Sequence, residues 1–307
     1  MIIKKLNSYL NYFIIAFLLV INFFWLPTFS RSIYSQFKTS DNSKISQELS
    51  SYKPPPQPNV KNNFLPQINT GSYILIDNAT NKILASKNPQ EKIYPASTTK
   101  LATAITALNL YPLDEIITIK QSYHQGKVVG FQVGEKLTVK SLVTALLVYS
   151  GNDAAFNLAS HHPHDIAGFI TNMNQLMAKF NLKNTSFINY DGLHSPNHYS
   201  TVYDLSQLGR IALKNPIIVD VVKNKKNEIT DVSGQIKHEL VSTNELLDKV
   251  PEIEGLKTGW TPEAGGCFVG LLNINGHKLI SVVAQSEDRF GDTQKILEWA
   301  KQTVVWE

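Results

Sequence analysis

Three short clusters in this 307-residue chain combine residue types suited to nucleophilic chemistry. The first is Tyr94-Pro95-Ala96-Ser97-Thr98-Thr99-Lys100. Residues three apart on a helix share a face, so Ser97 and Lys100 can touch. A serine hydroxyl is a weak nucleophile until a base takes its proton. A lysine desolvated in a packed site, near other cations, is neutral enough to be that base. The second cluster is Ser150-Gly151-Asn152, a short polar loop able to present a hydroxyl and an amide into a cleft. The third is Lys257-Thr258-Gly259. Its lysine and threonine suit a carboxylate ligand, and its glycine permits close backbone approach by a substrate.

None of these spacings is specific alone. Ser-x-x-Lys recurs at Ser35/Lys38 and Ser50/Lys53, and Ser-x-Asn at Ser40 and Ser195. The two other Ser-x-x-Lys pairs lie in polar sequence that could not desolvate a lysine; only Ser97 opens an apolar helix.

The elements that must position the clusters are readable from periodicity. Ser72–Asp77 and Lys82–Ala85 read as strands joined by a turn at Asn78–Asn81. From about Thr98 to Asn215 the pattern is mainly helical: Leu101, Ile105 and Leu108 share one face, and Leu142–Tyr149 is apolar nearly all round. Further helices are expected at 153–160, 165–180 and 203–214. Gly266–Asn273 and His277–Gln285 read as strands joined by Asn275-Gly276, a strong hairpin signal. A last amphipathic helix follows, with Asp292 as its expected cap. Strands, a helical block, strands and a helix predict an α+β fold: an antiparallel sheet flanked by helices, with a helical subdomain inserted.

The N-terminus bears on compartment. Lys4 and Lys5 precede a charge-free stretch, and its apolar core, Tyr12–Phe29, would rise about 27 Å as a helix. Residues 1–30 are therefore expected to be a membrane anchor or signal with its lysines cytoplasmic, which puts the rest of the chain outside. Residues 31–67, rich in Ser, Asn, Gln and Lys and holding Pro54-Pro55-Pro56-Gln57-Pro58, are expected to be a disordered tether. Residues 68–307 are the expected globular domain. A net charge of +4, with no basic stripe, does not argue for nucleic acid. Lys223, Lys225 and Lys226 read as a solvated loop, as do His161, His162 and His164, which Pro163 interrupts. The single cysteine, Cys267, excludes an intrachain disulfide and reads as a small buried strand residue. No cofactor or metal is expected.

Taken together, and in this order, the three clusters resemble the active-site set of penicillin-binding proteins and serine β-lactamases. The surrounding segments resemble the low-molecular-mass D-alanyl-D-alanine carboxypeptidases: Ala96–Leu101, Val133–Thr138, Ser150–Ala155, Tyr199–Thr201 with Asp204-Leu205, Thr243–Leu247 and Gly255–Thr261. The resemblance covers nearly all of 68–307. It implies a β-lactamase/transpeptidase-like fold and removal of the terminal D-alanine from peptidoglycan stem pentapeptides, with β-lactam antibiotics as acylating inhibitors. It also implies a bacterial cell-membrane enzyme with an extracytoplasmic catalytic domain.

Residue by residue, the resemblance makes Ser97 the nucleophile and Lys100 its base. Ser150 and Lys257 pass a proton to the departing D-alanine, and Asn152 holds the substrate's amide backbone. Thr258, with Lys257 nearby, binds the terminal carboxylate, Gly259 lets the substrate approach the strand, and the amides of Ser97 and Trp260 form an oxyanion hole. One departure is that Thr243 stands where some members carry a carboxylate-binding arginine. Three other readings stay open at this stage: a class A β-lactamase, although no glutamate occurs between Glu135 and Glu228; a wall or β-lactam sensor; and an endopeptidase, which would use the same acyl-enzyme.

Overall fold

Alternating apolar residues give two buried faces to one five-stranded antiparallel sheet. The computed structural model describes residues 53–61 and 64–307. Its central sheet comprises β2 (Thr70–Asp77), β3 (Ile83–Lys87), β8 (Ile253–Thr261), β9 (Gly265–Ile274) and β10 (His277–Ser286), in the order β3-β2-β10-β9-β8. Successive strand residues point to opposite faces. Ile74, Ile76, Val269, Leu271, Ile280 and Val282 therefore pack toward the helical block. Tyr73, Leu75, Phe268, Leu272, Leu279 and Val283 pack toward the other side, against Ile296, Leu297 and Ala300 of the last helix. The hairpin at Asn275-Gly276 forms as expected, with both residues at positive φ.

The helical block lies between β3 and β8. It holds α1 (Lys100–Leu110), α2 (Val139–Thr144) with a π turn at Ala145–Tyr149, α3 (Asn152–Ser160), α4 (Asp165–Lys179), α5 (Val202–Ala212) and α6 (Pro216–Val222). Lys100 through Ala107 are all buried, so α1 is a core helix and not an amphipathic one. It stops at Tyr111, whose extended backbone is what the following Pro112 demands. Thr138, Thr201 and Asn215 cap α2, α5 and α6 through their side chains.

Several expectations are corrected. The stretch 111–138 is not helical: it contains the short pair β4 (Ile116–Thr118) and β5 (Lys136–Thr138), separated by a loop rich in Gly, Gln and Val. A hairpin, β6 (Lys226–Thr230) with β7 (Lys237–Val241), follows α6. Lys226 thus opens a strand, Lys223 pairs with Asp220, and Lys225 Nζ donates to Asn244 O. The last helix, α7 (Arg289–Thr303), is capped by Asp288, whose side chain accepts from Gly291 N. Asp292 is instead buried in the first turn, accepting from Ser286 Oγ at 2.7 Å. The expected tether overlaps the folded unit: β1 (Pro58–Val60) pairs antiparallel with β11 (Val304–Trp306). The remainder of the tether before residue 53 and the expected anchor over 1–30 lie outside the described residues. Among the described residues no helix is long and apolar enough to cross a membrane.

Candidate active site

Ser97 sits on one 3-10 turn, Ala96–Thr99, that runs directly into α1. The turn is held from several sides. Ala96 adopts φ 46°, a costly left-handed conformation for a residue with a Cβ. Thr98 Oγ1 donates to Pro95 O at 2.6 Å. Thr99 Oγ1 lies 2.8 Å from His198 Nε2. Because Ile188 N–H donates to His198 Nδ1, the neutral ring carries its proton on Nε2 and donates it to Thr99. Burial, then the charges of Lys100 and His194, push the His198 pKa down to about 4, so the ring stays neutral at physiological pH.

The first turn of α1 brings Lys100 back onto Ser97. Its Nζ donates to Ser97 Oγ at 2.8 Å and to Asp191 O at 2.7 Å. Lys100 is 0% exposed. Burial draws its pKa down to about 8, opposed by the charges of Asp191 and Asp153. The Asp191 carboxylate is itself tied down, accepting from Tyr123 Oη at 3.0 Å and Leu193 N at 3.1 Å. Gly192 then passes behind the Ala96–Thr99 turn at φ 87°, where a Cβ would stand 1.9 Å from Ala96 O.

The second buried lysine comes from the sheet. Lys257 on β8 is 1% exposed, and its Nζ donates to Ser150 Oγ at 2.9 Å and to Thr258 O at 3.0 Å. Burial first, and then the positive charges of Lys100, Lys127 and Arg289, hold Lys257 well below the usual ammonium range. Ser150 adopts φ 68° at the end of the π turn, which breaks the helix so that α3 can start afresh at Asn152.

Asn152 is wrapped by the loop before β5. Its backbone N–H donates to Lys127 O at 2.7 Å and its Nδ2 to Gln125 O at 2.9 Å. This commits the NH2 end of the amide to the protein and keeps the carbonyl end for an N–H donor. Asp153, next along, accepts from Val129 N and Gly130 N and so fixes the same loop. On β8, Thr258 Oγ1 lies 2.6 Å from Thr243 Oγ1, and Trp260 is 60% exposed at the rim. Gly259 admits a close approach, but what approaches is the Ala96–Thr99 turn: a Cβ there would stand 2.8 Å from Ser97 N.

Ser97 and Lys100 thus meet directly, as do Ser150 and Lys257, and Asn152, Thr258, Gly259 and Trp260 border the two pairs. Several contributors carried no motif. Asp191-Gly192 is a turn dipeptide, yet nothing in it reveals that its carbonyl receives Lys100. His198 gave no signal, and Asp153, although inside the segment Ser150–Ala155, was given no role of its own. Arg289, at the start of α7, has its Nε buried without a hydrogen-bond partner among the described residues, and its charge bears on Lys257. Cys267 is buried and inert, its thiol pushed up to about 11 by burial. The histidine loop is not simply solvated: His162 is buried, and His161 pairs with Glu115 at 2.6 Å.

A family model described as D-alanyl-D-alanine carboxypeptidase matches residues 59–288. The chain is 30% identical over 239 residues to the D-alanyl-D-alanine carboxypeptidase DacF of Bacillus subtilis (strain 168), covering 75% of this chain and 61% of that one. It is 29% identical over 263 residues to a D-alanyl-D-alanine endopeptidase of Pseudomonas aeruginosa, covering 83% and 84% of the two chains. The crystal structure of the Streptomyces K15 DD-transpeptidase superposes with a TM-score of 0.73 at 30% identity, covering 77% of this chain and 98% of that one. The chain therefore spans about three-fifths of the curated carboxypeptidase it matches.

Proposed function

Because the chain belongs to the D-alanyl-D-alanine carboxypeptidase family of peptidases, we propose that it removes the terminal D-alanine from peptidoglycan stem pentapeptides through an acyl-enzyme on Ser97. The observation that carries this reading is the pair of buried lysines, each hydrogen-bonded to a serine hydroxyl and close enough that the charge of Lys100 bears on Lys257. Neutral Lys100 takes the Ser97 proton as Oγ attacks the penultimate D-alanine carbonyl. The amides of Ser97 and Trp260 receive the developing oxyanion. The C–N bond breaks as Ser150 and Lys257 help shuttle the proton taken by Lys100 to the departing amine. Water then hydrolyses the ester and restores Ser97. Asn152 holds the acyl-side amide, while Thr258, braced by Thr243, takes the terminal carboxylate in the field of Lys257 and Arg289. A β-lactam presents the same reactive carbonyl and is expected to acylate Ser97.

The substrate lies outside the cytoplasmic membrane. An extracytoplasmic domain held by the N-terminal segment is the matching arrangement, supported by Lys4 and Lys5 ahead of the apolar stretch Tyr12–Phe29. Protease accessibility in intact spheroplasts tests it: cleavage of the domain is expected, and full protection would overturn it.

D-Alanine release from a pentapeptide ending in D-Ala-D-Ala, with Ser97→Ala as control, tests the activity. Release by the wild type alone establishes the reaction and its nucleophile. Cleavage only of D-alanine-containing cross-links would replace it with the endopeptidase reading, which the similarity to the Pseudomonas aeruginosa protein supports.

A further inference from the structure

Lys127 has no role in the chemistry above, yet it is placed against the residue that holds the acyl side of the substrate. Its carbonyl receives the Asn152 N–H at 2.7 Å. The preceding glycine, Gly126, lies so close that a Cβ there would stand 2.4 Å from Asn152 Nδ2. Gln125 O holds that same nitrogen. Residues 125–127 therefore pack directly against Asn152, the residue proposed to hold the acyl side of the substrate. The side chain of Lys127 sets its ammonium 4.2 Å from the centroid of the Tyr149 ring, one residue before Ser150.

The Lys127 residue is exposed, and among the described residues it forms no ion pair with a carboxylate. Its charge nevertheless reaches into the site, since it is one of the cations that bear on Lys257. An ammonium held over an aromatic face keeps one side for the ring and the other for an anion. Loop placement is rigid: Asp153 ties Val129 and Gly130 to the start of α3. On the reading above the terminal carboxylate has Thr258 and the charges of Lys257 and Arg289, so the charge at Lys127 is left for a second anionic group on the other side of the scissile bond.

We infer that Lys127 is a specificity-determining residue that selects stem peptides carrying a free carboxylate on the residue preceding D-Ala-D-Ala, the chemistry of a diamino diacid. The inference rests on the carboxypeptidase reading and names its substrate class. A cation at the rim acts through differential binding and is screened by salt.

The test uses the full-length chain and two pentapeptides that differ only at the third residue, a diamino diacid with its side-chain carboxylate free or amidated. Wild type is expected to favour the free acid by roughly tenfold in kcat/KM, with the ratio shrinking at high salt. Lys127→Met is expected to bring the ratio to about one, and Lys127→Arg to restore it, since charge and not proton transfer is what counts. A ratio near one in the wild type, or an unchanged ratio in Lys127→Met, would overturn the inference. So would a Lys127→Met defect that follows amidation of the terminal carboxylate instead. Penicillin adduct formation at Ser97 is followed in parallel. No peptide cleavage and no adduct would sink the carboxypeptidase reading and this inference together. Cleavage with an unselective ratio would sink the inference alone.

Discussion

Gly259 of β8 and Ser97 of the nucleophile turn are in backbone contact: a Cβ on Gly259 would stand 2.8 Å from Ser97 N and 3.0 Å from Thr98 N. The sheet edge and the turn that carries Ser97 are thus set against each other with no room for a methyl group. Both neighbours are backbone atoms that cannot rotate away. Gly259→Ala must displace either the strand or the turn, and a misplacement of about 1 Å costs on the order of 100-fold in rate. The expected result is a loss of roughly that size in the penicillin acylation rate of Ser97, read by mass spectrometry. An acylation rate within twofold of wild type would contradict the contact.

Ser97, Ser150 and Lys257 were legible because their chemistry needs particular residue types at particular spacings, and because the flanking strands and helices have strong periodicity. Asp191 was not legible, since it contributes a carbonyl, which every residue has, and its value comes only from Gly192 folding it behind Ala96. The pairs β4–β5 and β1–β11 were missed for another reason. Strands of three residues are too short to show alternation. Their pairing is decided by tertiary contacts such as Trp306 Nε1 donating to Asp77 Oδ2 at 3.0 Å. Asp292 is of a type that suits a cap, but β10 ends at Ser286 and the helix starts at Arg289, so Asp288 holds the capping position.

Lys100 is drawn down to about 8 by burial, so its base form gains population as pH rises through that value. Acylation of Ser97 should therefore increase with pH and level off above about 8. Lys100→Arg keeps the charge but cannot yield the proton. A loss of about 10²–10⁴-fold is expected, the usual worth of general base catalysis. Stopped-flow acylation across pH 6–10 checks both; a flat profile in the wild type would remove Lys100 from the base role.

Thr243 and Thr258 share one hydroxyl contact at 2.6 Å. Thr258→Val removes the hydroxyl proposed to meet the terminal carboxylate and leaves Thr243 without its partner. A hydrogen bond to a charged group is worth about 1.5–3 kcal/mol, so kcat/KM for the pentapeptide should fall roughly 10- to 100-fold. Thr243→Val, one step removed, should cost less. Equal losses from the two variants would instead make Thr243 a direct ligand.

His198 is buried with its pKa lowered to about 4 from 6.5. Between those values the unfolded chain takes a proton that the folded chain refuses. Stability is fully present above 6.5 and falls as the pH drops toward 4, by about 3 kcal/mol if the whole shift is realised. His198→Asn should flatten that slope. Urea unfolding of both proteins at pH 7 and pH 4.5 reads the difference, and parallel slopes would exclude His198 as a source of acid sensitivity.

The clasp of β1 on β11 bears on where the folded domain begins. Gln57 N donates to Glu307 O at 2.9 Å, Glu307 N to Gln57 O at 3.1 Å, and Lys61 N to Thr303 O at 2.8 Å. Lys82 Nζ donates to Pro58 O at 2.7 Å. On the other strand, the Trp306 ring stacks on His277 with centroids 4.2 Å apart. A chain begun at residue 68, the boundary read from composition, would lose β1 and leave β11 unpaired. Four such hydrogen bonds at about 0.5–1.5 kcal/mol each amount to roughly 4 kcal/mol. For a domain of this size that is a Tm lower by about 8–16 °C than in a chain begun at residue 56. Catalysis should survive at low temperature, because neither strand touches Ser97 or Lys257. Calorimetry of the two chains decides the matter: equal Tm values would show that β1 is a passenger on the domain, and a gap of the expected size would make it part of the fold.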